Sequence, residues 1–311
     1  MTSRPDVHVY ASPAAFKVAL EHRVAADARA HGFSVDRRRQ LLLFDRLLGR
    51  LAREFGDALI AKGGVVLELR LARARTTRDV DVRLAGEPSA LLTRLQAVGR
   101  SDFGDSLTFL VERPREGNAD SIGGDGVIYE GQRFRVEARL SGLRYGSPFG
   151  LDVAFGDPVS GTVDAIDGTG LLSFVGAPAS RIRLYPRETH LAEKLHAYTL
   201  PRPYENSRLK DLPDMGLLAG SGPFDADELR RALQTTFEFR KSHPLPSTLP
   251  APPAAWAARY RSLARNDGLP WPTLAEAFDA ARAFVNPVLG DDMGEWDPSA
   301  WTWRAHHPGQ P

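Results

Sequence analysis

Hydrophobic positions early in the chain recur at helical spacing. Over residues 35–55, Leu41, Phe44, Leu48, Leu51 and Phe55 fall on one face, the 3.6-residue period of a stripe packed on a core. Ser12-Pro13 reads as an N-cap followed by proline at the first helical position, so an earlier helix is expected from there to about Ala30, closed by His31-Gly32. The period then changes. Residues 78–84 alternate, with Val80, Val82 and Leu84 on one side and Asp79, Asp81 and Arg83 on the other, as a half-buried strand does. The preceding run, 65–71, fits a short helix or a strand. A helix is expected over 88–98, and strands over 107–111, 133–140 and 150–155, with a Gly-rich stretch at 117–126. Two shorter strands are expected at 171–175 and 182–184.

From Pro186 onward the pattern is helical. Residues 187–199 read as a helix closed by Pro201, with Leu191, Leu195 and Tyr198 on its buried stripe and Lys194 beside it. A loop leads to 209–218, and helices follow at about 226–240, 254–265 and 273–285, with a proline-rich linker at 244–253. No internal repeat is visible. The expected architecture is an α/β half over 1–185, a mixed sheet with flanking helices, and an α-helical half over 186–311.

Composition narrows the chemistry. The chain has 311 residues, 42% hydrophobic and 25% charged, enough for a substantial core. It has no cysteine, which excludes disulfides, zinc–thiolate sites and thiol nucleophiles. No apolar run reaches membrane-spanning length, and the N-terminus lacks the apolar stretch of a signal peptide, so a cytoplasmic protein is expected. Net charge is only +1, but charge is unevenly placed. Arg37, Arg38, Arg39, Arg46, Arg50 and Arg53 lie on one helix; Arg70, Arg73, Arg75, Arg78 and Arg83 surround the aspartates; Asp291, Asp292, Glu295 and Asp297 make the end acidic. Solvated arginines on helix surfaces explain the first group more simply than a nucleic-acid footprint. Lysine is scarce, at Lys17, Lys62, Lys194, Lys210 and Lys241 only. A compact ammonium differs chemically from a guanidinium fork, which singles out Lys62, Lys194 and Lys210.

Asp79 and Asp81, two apart on a strand, point to one side and suit a hard cation such as Mg²⁺. A third carboxylate on a neighbouring strand would complete a two-metal site, and Asp152, between Leu151 and Val153, is the best candidate; a structural strand-end role is its plain alternative. The pair Gly63-Gly64 lets backbone amides approach phosphate, more so at a helix N-terminus, although Gly-Gly is more often a simple turn.

Lys62-Gly63-Gly64 followed by Arg75-x-Thr77-x-Asp79-x-Asp81 resembles the signature of the AbiEii-type nucleotidyltransferases. These are toxin components of toxin–antitoxin and abortive-infection systems, built on a DNA polymerase β-like nucleotidyltransferase fold. The likeness continues through Tyr185-Pro186-Arg187-Glu188-Thr189-His190-Leu191-Ala192-Glu193-Lys194, and through Arg208-Leu209-Lys210-Asp211-Leu212-Pro213-Asp214. Trp256, Asn286-Pro287-Val288 and Trp296-Asp297-Pro298 are similar to longer members. The resemblance implies an essential lysine at Lys194 and an essential aspartate at Asp211. It implies metal ligation by Asp79, Asp81 and Asp152, with Asp81 shared between two Mg²⁺ ions and Asp152 orienting or deprotonating the acceptor. Lys62, Gly63, Gly64, Thr77, Lys194, Arg208 and Lys210 would contact nucleotide. Two departures stand out. Gly63-Gly64 replaces the usual Gly-Ser, and Pro213 makes a turn the expectation over 210–214. His190 and His196 read as packing or surface residues.

The function implied is a toxin that moves NMP from an NTP to RNA, with the tRNA 3′ end the expected acceptor, so blocking translation under restraint by a cognate antitoxin. The same site could serve a protein or small-molecule acceptor. A non-catalytic protein of the same fold that binds RNA or a partner is the alternative from another class.

Overall fold

The computed structural model describes residues 10–71, 76–114, 121–122, 129–203, 206–290 and 294–305. Helix α1 (Pro13–His31) begins where Ser12 accepts from the Ala15 N–H and ends at Gly32, whose φ of 72° closes it. Helix α2 (Val35–Phe55) is capped by Ser34. The mixed α/β region then runs β1 (Leu59–Lys62), α3 (Gly63–Arg70), β2 (Val80–Leu84), α4 (Leu91–Arg100), β3 (Leu107–Glu112), β4 (Ser121–Ile122), β5 (Tyr129–Leu140), β6 (Leu143–Arg144), β7 (Phe149–Phe155), β8 (Asp164–Asp167) and β9 (Arg181–Leu184). Five helices follow: α5 (Arg187–Thr199), α6 (Asp211–Ala219), α7 (Ala226–Arg240), α8 (Trp256–Asp267) and α9 (Leu274–Leu289). A ribbon of β10 (Gly294–Asp297) and β11 (Thr302–Ala305) comes last.

The main sheet has the order β3-β5-β7-β2-β1-β9-β8, with β4 and β6 paired to β5. The β2–β7 and β1–β9 pairs are parallel, and the other neighbours are antiparallel. One apolar core joins α1, α2 and α4 to this sheet, ending at Leu184; a second gathers the helices from Leu191 onward and includes Leu67 of α3. Among the described residues no helix is long and apolar enough to cross a membrane.

Of the two readings open for 65–71, the helix is the one found, as far as Arg70 with Leu71 extended, and Gly63 turns the chain out of β1 directly into α3. Other expectations are revised. Residues 171–175 form a turn and a 3₁₀ segment, Ser173–Val175, bounded by Gly170 and Gly176 at positive φ; their apolar side chains pack as a loop against the first core. The segment 210–214 is no isolated turn. Asp211 opens α6 and Pro213 lies in its first turn, where backbone N–H groups have no intrahelical partner and proline removes nothing. Arg73, Arg75, Asp291, Asp292 and most of the Gly-rich stretch 117–126 lie outside the described residues.

The α2 arginines are not the solvated face expected of them. Arg37, Arg38, Arg46 and Arg50 are buried, while Arg53 is exposed. Asp105, itself buried, accepts from Arg46 Nε at 2.7 Å and from Arg50 NH2 at 2.6 Å. Burial pushes the Asp105 carboxyl upward, but hydrogen bonds and charge from Arg50 and Arg46 outweigh it and hold the group below its usual range. Arg38 pairs with Asp27 of α1, and Arg39 with Glu21. These arginines fasten α2 to its neighbours.

Asp105→Ala should strand two buried guanidinium groups and lower the unfolding free energy by roughly 3–5 kcal/mol, whereas exposed Arg53→Ala should cost less than about 1 kcal/mol; urea denaturation of both variants checks this.

Candidate active site

The site is built by strand register. Lys62 on β1 stands opposite Asp81 on β2, Asp81 opposite Asp152 on β7, and Asp152 opposite Arg133 on β5. Residues opposite one another in a sheet point to the same face about 4.8 Å apart. Four charged side chains therefore form one row, with two carboxylates in the middle and a cation at each end.

Each end cation is engaged. Arg133 chelates Asp152 through Nε to Oδ1 at 2.7 Å and NH2 to Oδ2 at 2.6 Å. Lys62 donates to Asp157 at 2.8 Å and to Glu193 of α5 at 2.9 Å. Asp81 lies between Asp152 and Gly63 and is partly buried. Burial and the neighbouring Asp152 and Asp79 charges push its carboxyl up to about 7, against the opposing pull of Lys62 and Lys194.

Asp79 precedes β2 and is exposed, with Oδ1 accepting from the Gly150 N–H at 3.0 Å. A Cβ at position 150 would stand 2.7 Å from that oxygen, so Gly150 makes room for Asp79. Gly63 does the same for Asp81: it sits at φ 68°, and an added Cβ would strike the Asp81 carboxylate. Gly63 and Gly64 open the first turn of α3, and that turn has no side-chain cap and carries no acidic residue. Both line the cleft, so the unpaired N–H groups of that turn suit an anion.

Thr77, expected to touch nucleotide, is buried and pinned by its backbone. Its N–H donates to Glu68 at 2.6 Å and its carbonyl accepts from Arg37 at 2.6 Å, while Arg37 and Glu68 pair closely. It fixes the segment leading into Asp79. Lys62, on the cavity wall, is engaged by two carboxylates, Asp157 and Glu193, of which Glu193 also lines the cavity.

The opposite wall comes from the helical half. Lys194 of α5 donates to Asp211 Oδ1 at 2.8 Å and pairs with Asp214 at 2.7 Å. The second oxygen of Asp211 is buried without a hydrogen-bond partner. Arg208 and exposed Lys210 complete this wall, bounding with the sheet a cavity of about 450 Å³. All the candidate residues, Lys62, Gly63, Gly64, Thr77, Asp79, Asp81, Asp152, Lys194, Arg208, Lys210 and Asp211, line this one cavity.

Sequence reasoning missed Arg133, Asp157, Glu193 and Arg240. Glu193 accepts from Lys62, from Arg240 of α7 at 3.0 Å and from the Tyr185 hydroxyl at 3.0 Å, so it ties β1 to α5 and α7. Its place next to Lys194 in the quoted motif was the available signal. His190 is buried on the cavity wall, where burial and the nearby Lys194 keep its imidazole neutral. His196 is also buried, between Ser242 and Arg240.

The oxygen donors and the raised Asp81 carboxyl fit a divalent cation, which would relieve the repulsion between Asp81 and Asp152. Among the described residues no three such groups already converge as a cation cage; Arg133 engages Asp152 and the Gly150 N–H engages Asp79. Asp79, Asp81 and Asp152 are the residues that could hold the ion.

The sequence matches the family model described as the nucleotidyl transferase AbiEii toxin of type IV toxin–antitoxin systems over residues 46–283. Among solved structures the fold is similar to MenT4, a nucleotidyltransferase toxin from Mycobacterium tuberculosis H37Rv, with 19% identity, a TM-score of 0.57, and coverage of 90% of this chain and 92% of that one. JHP933 from Helicobacter pylori also matches, at 16% identity and a TM-score of 0.40, over 65% of this chain and 80% of that one. No curated protein matches the sequence.

Asp81 bears on stability with a definite sign. Its folded pKa of about 7 exceeds the usual 3.8, so the native state holds the proton more tightly and loses stability as pH rises from about 4 to about 7. Metal-free Asp81→Asn should therefore be more stable than wild type by on the order of 2–4 kcal/mol at pH 8, with the advantage shrinking toward pH 4; denaturant titration across that range measures it.

Proposed function

Because the chain belongs to the AbiEii nucleotidyl transferase toxin family and is thus a nucleotidyltransferase of toxin–antitoxin systems, we propose that it transfers NMP from an NTP to an RNA 3′ hydroxyl. The tRNA 3′ end is the acceptor in this reading, Mg²⁺ the metal, the cytoplasm the place of action and arrest of translation the consequence. Family membership itself implies an NTP substrate, an antitoxin partner and, as is usual for these enzymes, a divalent metal. One observation carries the reading further: Asp81 and Asp152 stand in register beside the Gly63 turn, across one cavity from Lys194.

In the proposed step the acceptor oxygen bonds to the α-phosphorus of the NTP while the bond from that phosphorus to the bridging oxygen breaks and pyrophosphate leaves. Asp79, Asp81 and Asp152 would hold the metal, which would supply charge neutralisation on the triphosphate. The first-turn amides of α3 at Gly63 and Gly64 receive phosphate oxygens. Lys194, fixed in direction by Asp211 and Asp214, meets the charge that develops on the leaving pyrophosphate, with Arg208 and Lys210 beside it. Phosphoryl-type transfers are accelerated mainly by such positioning and charge stabilisation. Asp152 accepts the hydroxyl proton; each of its oxygens keeps a lone pair beyond the one that Arg133 engages. Asp211 sets the position of Lys194.

Incubation with each α-labelled NTP, Mg²⁺ and total RNA should label tRNA-sized species for at least one nucleotide. Asp81→Ala should abolish the label, and Lys194→Ala should reduce it by roughly 10²–10³-fold, with circular dichroism verifying the fold of each variant. Absence of label with ATP, CTP, GTP and UTP alike, in RNA, protein and small-molecule pools, would overturn the reading.

A further inference from the structure

A second and larger cavity adjoins the first. It encloses about 1030 Å³ between the start of α2, the segment before β2, and the β5 and β7 strands. Asp79 and Arg133 line both cavities. The two spaces therefore meet at the exposed end of the carboxylate row.

The charge of this groove is lopsided. Five arginines line it, Arg37, Arg39, Arg78, Arg133 and Arg135, against the carboxylates of Asp36 and Asp79. Arg37 is matched by Glu68, Arg39 by Glu21 and Asp36, and Arg133 by Asp152. The excess rests on the other two. Among the described residues, Arg135 has only a loose contact with Glu112 at 3.7 Å, and Arg78 is exposed with no carboxylate paired to it. Arg78 and Arg135 line this groove and not the first cavity. They are thus placed to add little to binding of a triphosphate near Lys194.

Spacing and direction select the occupant. Arg133 and Arg135 are alternate residues of β5 and share a face, about 7 Å apart, on the order of the separation of successive phosphates in a nucleic-acid strand. Arg135 offers its guanidinium fork to phosphate, while the fork of Arg133 is on Asp152 and marks where the groove meets the carboxylate row. A strand laid along them leads toward Asp79 and the Asp81–Asp152 pair, so its terminal hydroxyl arrives where the reaction occurs. An acidic protein segment could meet the same charges but has no reason to end at the carboxylates.

We propose that this groove is the acceptor track: the RNA backbone lies on Arg78 and Arg135, and its 3′ end passes Arg133 into the catalytic cleft, opposite the wall that holds the triphosphate. The inference rests on the transfer to RNA proposed above. It divides the anion-binding surface, with the acceptor on the α2 and β5 side and the nucleotide on the α3, α5 and α6 side.

The test compares wild type with the double charge reversal Arg78→Glu/Arg135→Glu and the milder Arg78→Gln/Arg135→Gln. Anisotropy of a fluorescein-labelled RNA hairpin with a single-stranded 3′ overhang is followed across a salt series, and binding of trinitrophenyl-ATP is measured on the same preparations. The charge reversal should weaken RNA binding by about 10–100-fold at low salt and reduce the slope of log K against log salt by about 1–2. The glutamine pair should move both readings the same way by less, and nucleotide affinity should stay within about twofold. Unchanged RNA affinity and slope would assign the groove to another anion, such as an acidic protein segment, and overturn the proposal. An equal fall in RNA and nucleotide affinity would overturn it too, by making the groove part of the triphosphate site. Wild type that labels RNA, with variants that label it equally well at limiting RNA, would sink the acceptor track alone. Wild type that labels only protein or small molecules would sink the functional reading as well.

Discussion

Two carboxylates held side by side on adjacent strands set the terms for the rest of this molecule. Parallel pairing of β2 with β7 puts Asp81 next to Asp152 at a spacing that the backbone hydrogen bonds dictate, and like charges directly opposite each other on a sheet destabilise it. The surroundings answer that repulsion. Arg133 and Lys62 close the row, Lys194 stands across the cleft, and the Asp81 proton is retained to about pH 7. Gly63 and Gly150 exist at their positions because any side chain there would collide with an aspartate of the set. The apoprotein thus stores a local imbalance, and a ligand carrying positive charge resolves it. Sites that bind metal and triphosphate together commonly depend on such preorganisation.

Helices were legible from periodicity because their signals are local. The Ser12-Pro13 start, the Gly32 stop and the apolar stripe of α2 all reappear within a residue or two. Strands were legible where they alternate, as in β2 and β3, and in β7 as a short apolar run around Asp152. β1 has just four residues, all buried, so it offers no alternation against which to recognise it. The C-terminal ribbon hides for another reason. Its tryptophans bond to helix carbonyls, Trp296 to Ala219, Trp301 to Ala280 and Trp303 to Phe284, contacts that join distant parts of the chain. The α2 arginines misled because helix position alone does not show whether a carboxylate such as Asp105, far along the chain, will meet them in the interior.

The candidate site was legible as an inventory of side chains and much less as a circuit. Asp79, Asp81, Asp152, Lys194 and Asp211 come together at one cavity, yet several partners differ from a direct reading of the motif. Lys62 neutralises Asp157 and Glu193, and Thr77 serves through its backbone. Arg133 had no motif around it, and only strand register brings it to Asp152. Glu193 was hidden in plain view beside Lys194, since a glutamate on a helix is ordinarily a solvated residue; its pairing with both Lys62 and Arg240 depends on how distant parts of the chain meet.

Helix α3 carries a last implication. Val65 and Val66 belong to the core of the sheet, while Leu67, the next residue, belongs to the core of the helical half. The same short helix presents Gly63 and Gly64 to the cleft, so that turn is clamped from both sides. Catalytic machinery of this kind is not modular. Loss of the helical half would uncover Leu67 and withdraw one of the two cores that hold this turn. Variation within that distant core would instead be filtered by its effect on the turn, giving residues that never approach substrate a share in the selection acting on the reaction.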